Sequence, residues 1–166
     1  GDNDACDANC QVTFESWSGI RTNVALSDYT SRGWRICHES TYQTAGGNLN
    51  SIIDGCNGSL MMLACRQRGS GTLTVAAYAN KSDVTRDVGS GSSAHHNANG
   101  VSWYYSGSYS WGFFPTGQGS SRNSCDTGSN QSNRRLCWHT QNGRWHSVGG
   151  WSCGSNRGLN NNGNWD

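Results

Sequence analysis

The chain has one proline, one lysine and two glutamates in 166 residues, and only 14% of it is charged. No apolar run is long enough to cross a bilayer as a helix. Only 33% of residues are hydrophobic, so aliphatic core is scarce for this length. The net charge of +1 and the dispersed arginines, with only Arg134-Arg135 adjacent, lack the basic patch of a nucleic-acid binder. No G-x-S-x-G, H-E-x-x-H or P-loop motif occurs. Glu15 and Glu39 fall in different segments, so no local acid pair marks a glycosidase.

What is abundant is glycine (23), asparagine, serine and the aromatics, with eight Trp and six Tyr. Turn-forming residues at this density imply many short segments joined by tight turns. Low hydrophobicity also fits disorder, but the aromatics and the near-zero net charge argue for a folded chain. The eight cysteines are Cys6, Cys10, Cys37, Cys56, Cys65, Cys125, Cys137 and Cys153. No C-x-x-C pair is present, which disfavours zinc and points to disulfides in an oxidising, extracellular compartment. Bridges of this kind each contribute ~2–4 kcal/mol and compensate for a thin core. Sequons at Asn57, Asn80 and Asn130 agree with secretion, although a chain rich in Asn and Ser produces them by chance. There is no signal peptide, and the first residue is Gly1, as expected of a mature or trimmed chain.

The patterning predicts a mainly β, disulfide-rich single domain over residues 1–166, an irregular sandwich or barrel of short antiparallel strands with little helix. Strands are expected at Gln11 to Trp17, Gly33 to His38, Leu60 to Cys65 and Thr72 to Ala79. In the last, Leu73, Val75, Ala77 and Ala79 share a face. A hairpin is expected at Val101 to Phe114, turning at Ser106-Gly107-Ser108. Trp103 and Trp111 face its core, and Tyr104 points the other way as an exposed contact. Asn48 to Gly55 is the one helical candidate. Trp34-Arg35-Ile36-Cys37-His38 and Arg135-Leu136-Cys137-Trp138-His139 suggest an internal duplication, with units around 33–65 and 122–160. Equivalent bridges Cys37–Cys56 and Cys137–Cys153 would follow from it.

Leu63-Ala64-Cys65-Arg66, Asn99-Gly100 through Trp111-Gly112-Phe113, Arg122-Asn123-Ser124-Cys125-Asp126 and Leu136-Cys137-Trp138-His139-Thr140 form a set. Over roughly the last two-thirds of the chain, this set resembles a cysteine-rich module of secreted, multidomain microbial surface proteins. The resemblance implies an extracellular recognition or adhesion setting and gives no residue a role.

Aromatic and amide side chains suit a sugar, whose C–H face lies on a ring while its hydroxyl rim takes hydrogen bonds. The candidate ligand-binding residues are His96, Asn97, Asn99 and Tyr104, with Trp138, Asn142, Arg144 and Trp145. The blander reading is that an aliphatic-poor domain builds its core from its aromatics. His95 and His96 are adjacent and point apart on a strand, so zinc is disfavoured, and His38 and His139 read as polar residues beside bridges. Calcium is the metal considered, through Asp2, Asp4 and Asp7 or through the Asn160 to Asp166 stretch. The expected function is a non-catalytic, extracellular carbohydrate-binding protein acting on surface glycans. The alternatives are a self-assembling adhesive protein and a small secreted hydrolase or toxin.

Overall fold

A computed structural model describes residues 16–44, 46–122, 133–146, 152–159 and 162–166. The elements in chain order are β1 (Arg21–Ala25), α1 (Leu26–Thr30), α2 (Leu49–Gly55), β2 (Leu60–Cys65), β3 (Thr72–Asn80), α3 (Lys81–Val84), β4 (His96–Ala98), β5 (Val101–Tyr105), β6 (Ser110–Pro115), β7 (Leu136–Gln141), β8 (Arg144–Trp145), β9 (Ser152–Cys153) and β10 (Asn156–Arg157). The chain is mainly β, as its turn-rich composition predicts.

Two antiparallel sheets form an open sandwich. One has the order β1-β3-β2; the other runs β10-β9-β7-β6-β5-β4, with β8 on β7. Alternation along the strands builds the core between them. Met61, Leu63 and Cys65 of β2 and Val75, Ala77 and Ala79 of β3 meet Val101, Trp103 and Tyr105 of β5 and Trp111 and Phe113 of β6. The core is therefore aromatic on one side and small or aliphatic on the other. Trp17, Tyr29 and Tyr78 cover the outer face of the smaller sheet, and Leu73 packs there rather than with Val75.

The β5–β6 hairpin forms as expected, with Trp103 opposite Phe113 and Tyr105 opposite Trp111. Its loop spans residues 106–109 and is closed by Ser106 N–H donating to the Ser110 carbonyl at 3.0 Å. The predicted strands at Leu60 to Cys65 and Thr72 to Ala79 are β2 and β3. The predicted helix is α2, capped where the Asn48 side chain accepts from Ser51 N–H at 3.2 Å.

Two expectations change. Gly33 to His38 is not a strand: Gly33 sits at φ +90, and residues 34–40 run as an irregular segment. Cys37 bonds Cys56, as expected, but Cys153 bonds Cys65. The register explains this. Leu136 lies opposite Cys153 and Cys137 opposite Ser152, so the two cysteines lie on opposite faces of adjacent strands. Residues 34–38 and 135–139 thus differ in conformation, and of the two bridges expected from a duplication Cys37–Cys56 is present and Cys137–Cys153 is not. The Gln11 to Trp17 strand lies outside the described residues except for Ser16 and Trp17, which are not in a strand.

Candidate functional site

The sequence-derived candidates separate into two places. At the β4–β5 hairpin, Asn99 at φ 49 and Gly100 at φ 73 are the turn itself, between paired Ala98 and Val101. The Asn99 side-chain amide donates to the carbonyls of Trp17 at 3.0 Å and Tyr78 at 2.9 Å. It ties the N-terminal side of the chain to the smaller sheet and does not face outward. Tyr104 is 0% exposed, which overturns its reading as a surface contact. It lies on the outer face of the large sheet, but Phe114, Cys137 and the Arg122 guanidinium cover it. Asn97 is exposed, with its carbonyl oxygen accepting from the Ser102 hydroxyl at 2.7 Å. His96 is half-buried with Nε2 3.7 Å from Asp83. Burial and then Arg86 push its pKa down.

At the β7–β8 hairpin, Asn142 (φ 51) and Gly143 (φ 73) form the corresponding turn between Gln141 and Arg144. Asn-Gly is the strongest two-residue hairpin signal because both positions need positive φ. Both asparagines were legible as turn residues from that dipeptide alone. Trp145 is buried, stacked on Trp111 with ring centroids at 5.9 Å and edge-on to Trp138 at 5.1 Å. Residues 46–49 hold it: Trp145 N–H donates to Gly47 C=O at 3.0 Å, and a Cβ on Gly47 would stand 2.7 Å from the indole. Arg144 is exposed and reaches the Gly46 carbonyl at 3.4 Å.

Trp138 and Trp145 line a cleft of about 800 Å³ that neither candidate group anticipated. One wall is β2, all of whose residues line the cleft; the other is the irregular segment of residues 32–40. Trp34 and Met62 line it on the outer side, Ile52 and Trp111 on the core side. Ile36, on the segment wall, is 53% exposed and is the exposed large hydrophobic residue among the described ones. The Cys37–Cys56 bridge fixes that wall to the end of α2. His38 stacks near Trp145 at 6.2 Å and bonds the Ser40 hydroxyl at 2.6 Å. Burial lowers its pKa, against a smaller opposing effect of Glu39.

One end of the cleft is ionic. Arg66 pairs with Glu39 through one terminal nitrogen and with Asp166 from Nε at 3.6 Å. Burial and then the neighbouring Glu39 carboxylate raise the Asp166 pKa, while Arg66 opposes them. Sequence reading missed this cluster because its members are far apart in the chain. A second, polar hollow of about 480 Å³ adjoins it, lined by Ser40, Thr41, Thr44 and Arg68. Because both carboxylates are engaged with one guanidinium, they act as a fastening between the segment wall and β2.

Asp2, Asp4 and Asp7 lie outside the described residues. Of the 160–166 stretch, residues 162–166 are described, and they pair with the chain beyond β2. Asn164 C=O accepts from Arg68 N–H at 2.8 Å, and the Asp166 carboxylate is committed to Arg66. No group of three metal-ligating side chains occurs among the described residues. No helix among them is long and apolar enough to cross a membrane.

No protein-family model, characterised protein or solved structure matches the chain. Its function therefore has to be read from the geometry of the cleft.

Proposed function

We propose that the chain is a non-catalytic recognition module acting outside the cell, with its ligand seated in the cleft between β2 and residues 32–40. The observation that carries this is the cleft itself. It is about 800 Å³, walled by Trp34, Met62, Trp138 and Trp145, and closed at one end by the Glu39–Arg66–Asp166 cluster. Apolar walls with a few convergent polar groups are what a binding site needs. Bridged cysteines and the resemblance to secreted microbial surface modules support the extracellular setting.

Two ligand classes suit such walls. A carbohydrate would lie against the partly exposed rings of Trp34 and Trp138 and bond the ionic end, in keeping with the expectation of a lectin. A polypeptide would use the open backbone edge of β2. The test is to screen one labelled preparation against a glycan array, with and without a chelator, and against a displayed peptide library. The same screen is run with Met62→Arg, which places a charged chain in the cleft. Binding lost in Met62→Arg, with near-ultraviolet circular dichroism unchanged, supports the cleft. Binding that survives the substitution, or no binding to either library, overturns the proposal.

A further inference from the structure

β2 is an edge strand, and the direction of its free backbone groups follows from one hydrogen bond. Lys81 N–H donates to Ser59 C=O at 2.8 Å, and β2 and β3 pair with Leu60 opposite Asn80. Hydrogen-bonded pairs alternate in an antiparallel ladder, so Met61, Leu63 and Cys65 turn their backbone groups toward β3. Leu60, Met62, Ala64 and Arg66 turn theirs outward, into the cleft. At Arg66 the outward groups are satisfied: Arg66 and Asp166 exchange both N–H···O=C bonds, each 2.9 Å. Arg68 N–H continues this ladder to Asn164 C=O at 2.8 Å. On its other side, residue 165 is bounded by Tyr42, whose N–H donates to Trp165 C=O at 3.0 Å. Residues 164–166 thus occupy a strand lane between Arg66–Arg68 and Tyr42. The cleft is the continuation of that lane, between Leu60–Ala64 and the 32–40 segment. No backbone bond reaches Leu60, Met62 or Ala64 there among the described residues.

Resting on the reading of the cleft as the binding site, we infer that it is a strand-acceptor lane. Its occupant is an extended segment of a partner polypeptide, paired antiparallel to β2 and running in the direction of residues 164–166. Natural edge strands are guarded by charge, proline or a bulge. Leu60-Met61-Met62-Leu63-Ala64-Cys65 has none of these over six residues, a length of ~20 Å. The side chains of an added strand would alternate between the core side, at Trp111 and Ile52, and the outer side, at Tyr29 and Trp34. Both sides are apolar or aromatic, so the segment is apolar at its centre on both faces. A sugar could lie on the rings but could not supply donors and acceptors at the ladder spacing.

The experiment uses the full chain with its disulfides intact. Amide hydrogen exchange is followed by NMR before and after addition of synthetic heptapeptides selected from a random displayed library. In the free protein the amides of Leu60, Met62 and Ala64 should exchange at least ~100-fold faster than those of Met61, Leu63 and Cys65. Bound peptide should slow those three. N-methylation of the peptide at one alternate set of residues should weaken binding about tenfold and at the other set leave it unchanged. Met62→Pro, which deletes one outward N–H on an edge, should weaken binding with the fold preserved. Three outcomes overturn the inference: slow exchange at the three amides in the free protein, no selected peptide, or peptide binding that leaves them unprotected. Glycan binding alone also overturns it, while leaving the recognition reading intact.

Discussion

Cys65 at the end of β2 and Cys153 in β9 are joined by a disulfide that staples the smaller sheet to the larger one across 88 residues of chain. The Cys37–Cys56 bridge closes only 19. On chain entropy alone the longer loop is worth ~4–5 kcal/mol and the shorter about 3. Replacing Cys65 and Cys153 with Ala should therefore lower stability by about 1–1.5 kcal/mol more than replacing Cys37 and Cys56. Denaturant titration of the two double variants measures the difference. Peptide mapping of the unreduced protein should return both bridges and no Cys137–Cys153 peptide; finding that peptide would contradict the register of β7 and β9.

The strands legible in the sequence are those marked by an apolar run or by regular alternation. β2 could be read as an unbroken apolar run, β3 from Leu73, Val75, Ala77 and Ala79 at every second position, and the β5–β6 hairpin from Trp and Phe at that spacing. β1 could not, because Asn23 sits at φ 54 in its middle and its side chains show no pattern. The five-residue α1 was invisible because it has no side-chain cap and is too short for a helical period. The site was harder to read than the fold. Trp138 and Trp145 were expected to contact a ligand; Trp145 is buried and Trp138 half-buried, and both line the cleft. Glu39, Arg66 and Asp166 converge only through the Arg66–Asp166 ladder, a pairing that leaves no local trace in the sequence.

The Asn-Gly turns should prove sensitive in different ways. A Cβ at Gly100 would stand 2.6 Å from the Ser18 hydroxyl and 3.2 Å from Gly19 N, in a left-handed conformation. At Gly143 the conformation is left-handed but nothing lies within 4 Å. Gly100→Ala should thus cost more than Gly143→Ala, for which ~1 kcal/mol is expected from backbone strain alone. Asn99→Ala should cost about 2 kcal/mol, because two carbonyls lose their donors. Thermal melts of the three variants order the costs. Equal costs at Gly100 and Gly143 would mean that the contact with residues 18–19 does not hold in solution.

Arg122 is fully buried, and among the described residues it bonds several backbone carbonyls and the Ser110 hydroxyl. Nη1 donates to the carbonyls of Gly89 at 2.8 Å, Gly91 at 3.0 Å and Ala94 at 3.3 Å, and Nε donates to the Ser110 hydroxyl at 3.0 Å. The guanidinium therefore wraps the 89–94 loop around itself, flanked by the rings of Tyr104 and Tyr109 at 5.2 Å each. Arg122→Met leaves those acceptors unpaired and should cost ~3–5 kcal/mol. Arg122→Lys should recover little, since one ammonium cannot replace a planar fork. Proteolysis at Gly89 to Ala94 in the variants, absent in the parent, is the direct readout. A resistant loop would show that it is held by other means.

Acid sensitivity should come from three imidazoles whose surroundings disfavour the charged ring. Burial is the largest influence on His38, His96 and His139 and lowers each below its ordinary 6.5. The unfolded chain then takes up those protons more readily than the fold does. Stability is fully present above pH 6.5 and falls as pH drops from there through the lowered folded values. Asp166 acts in the opposite sense. Burial first, then Glu39, raise it above 3.8, so its contribution is complete below that pH and is lost as pH rises through the raised value. Urea midpoints measured between pH 7.5 and 5 should decline on the acid side of 6.5. His139→Gln, which removes a largely buried ring, should flatten part of that decline. Asp166→Asn should leave the decline near 6.5 in place and change only the more acidic end. A profile in which Asp166→Asn abolishes the decline near neutrality would assign it to the carboxyl cluster at the end of the cleft and not to the histidines.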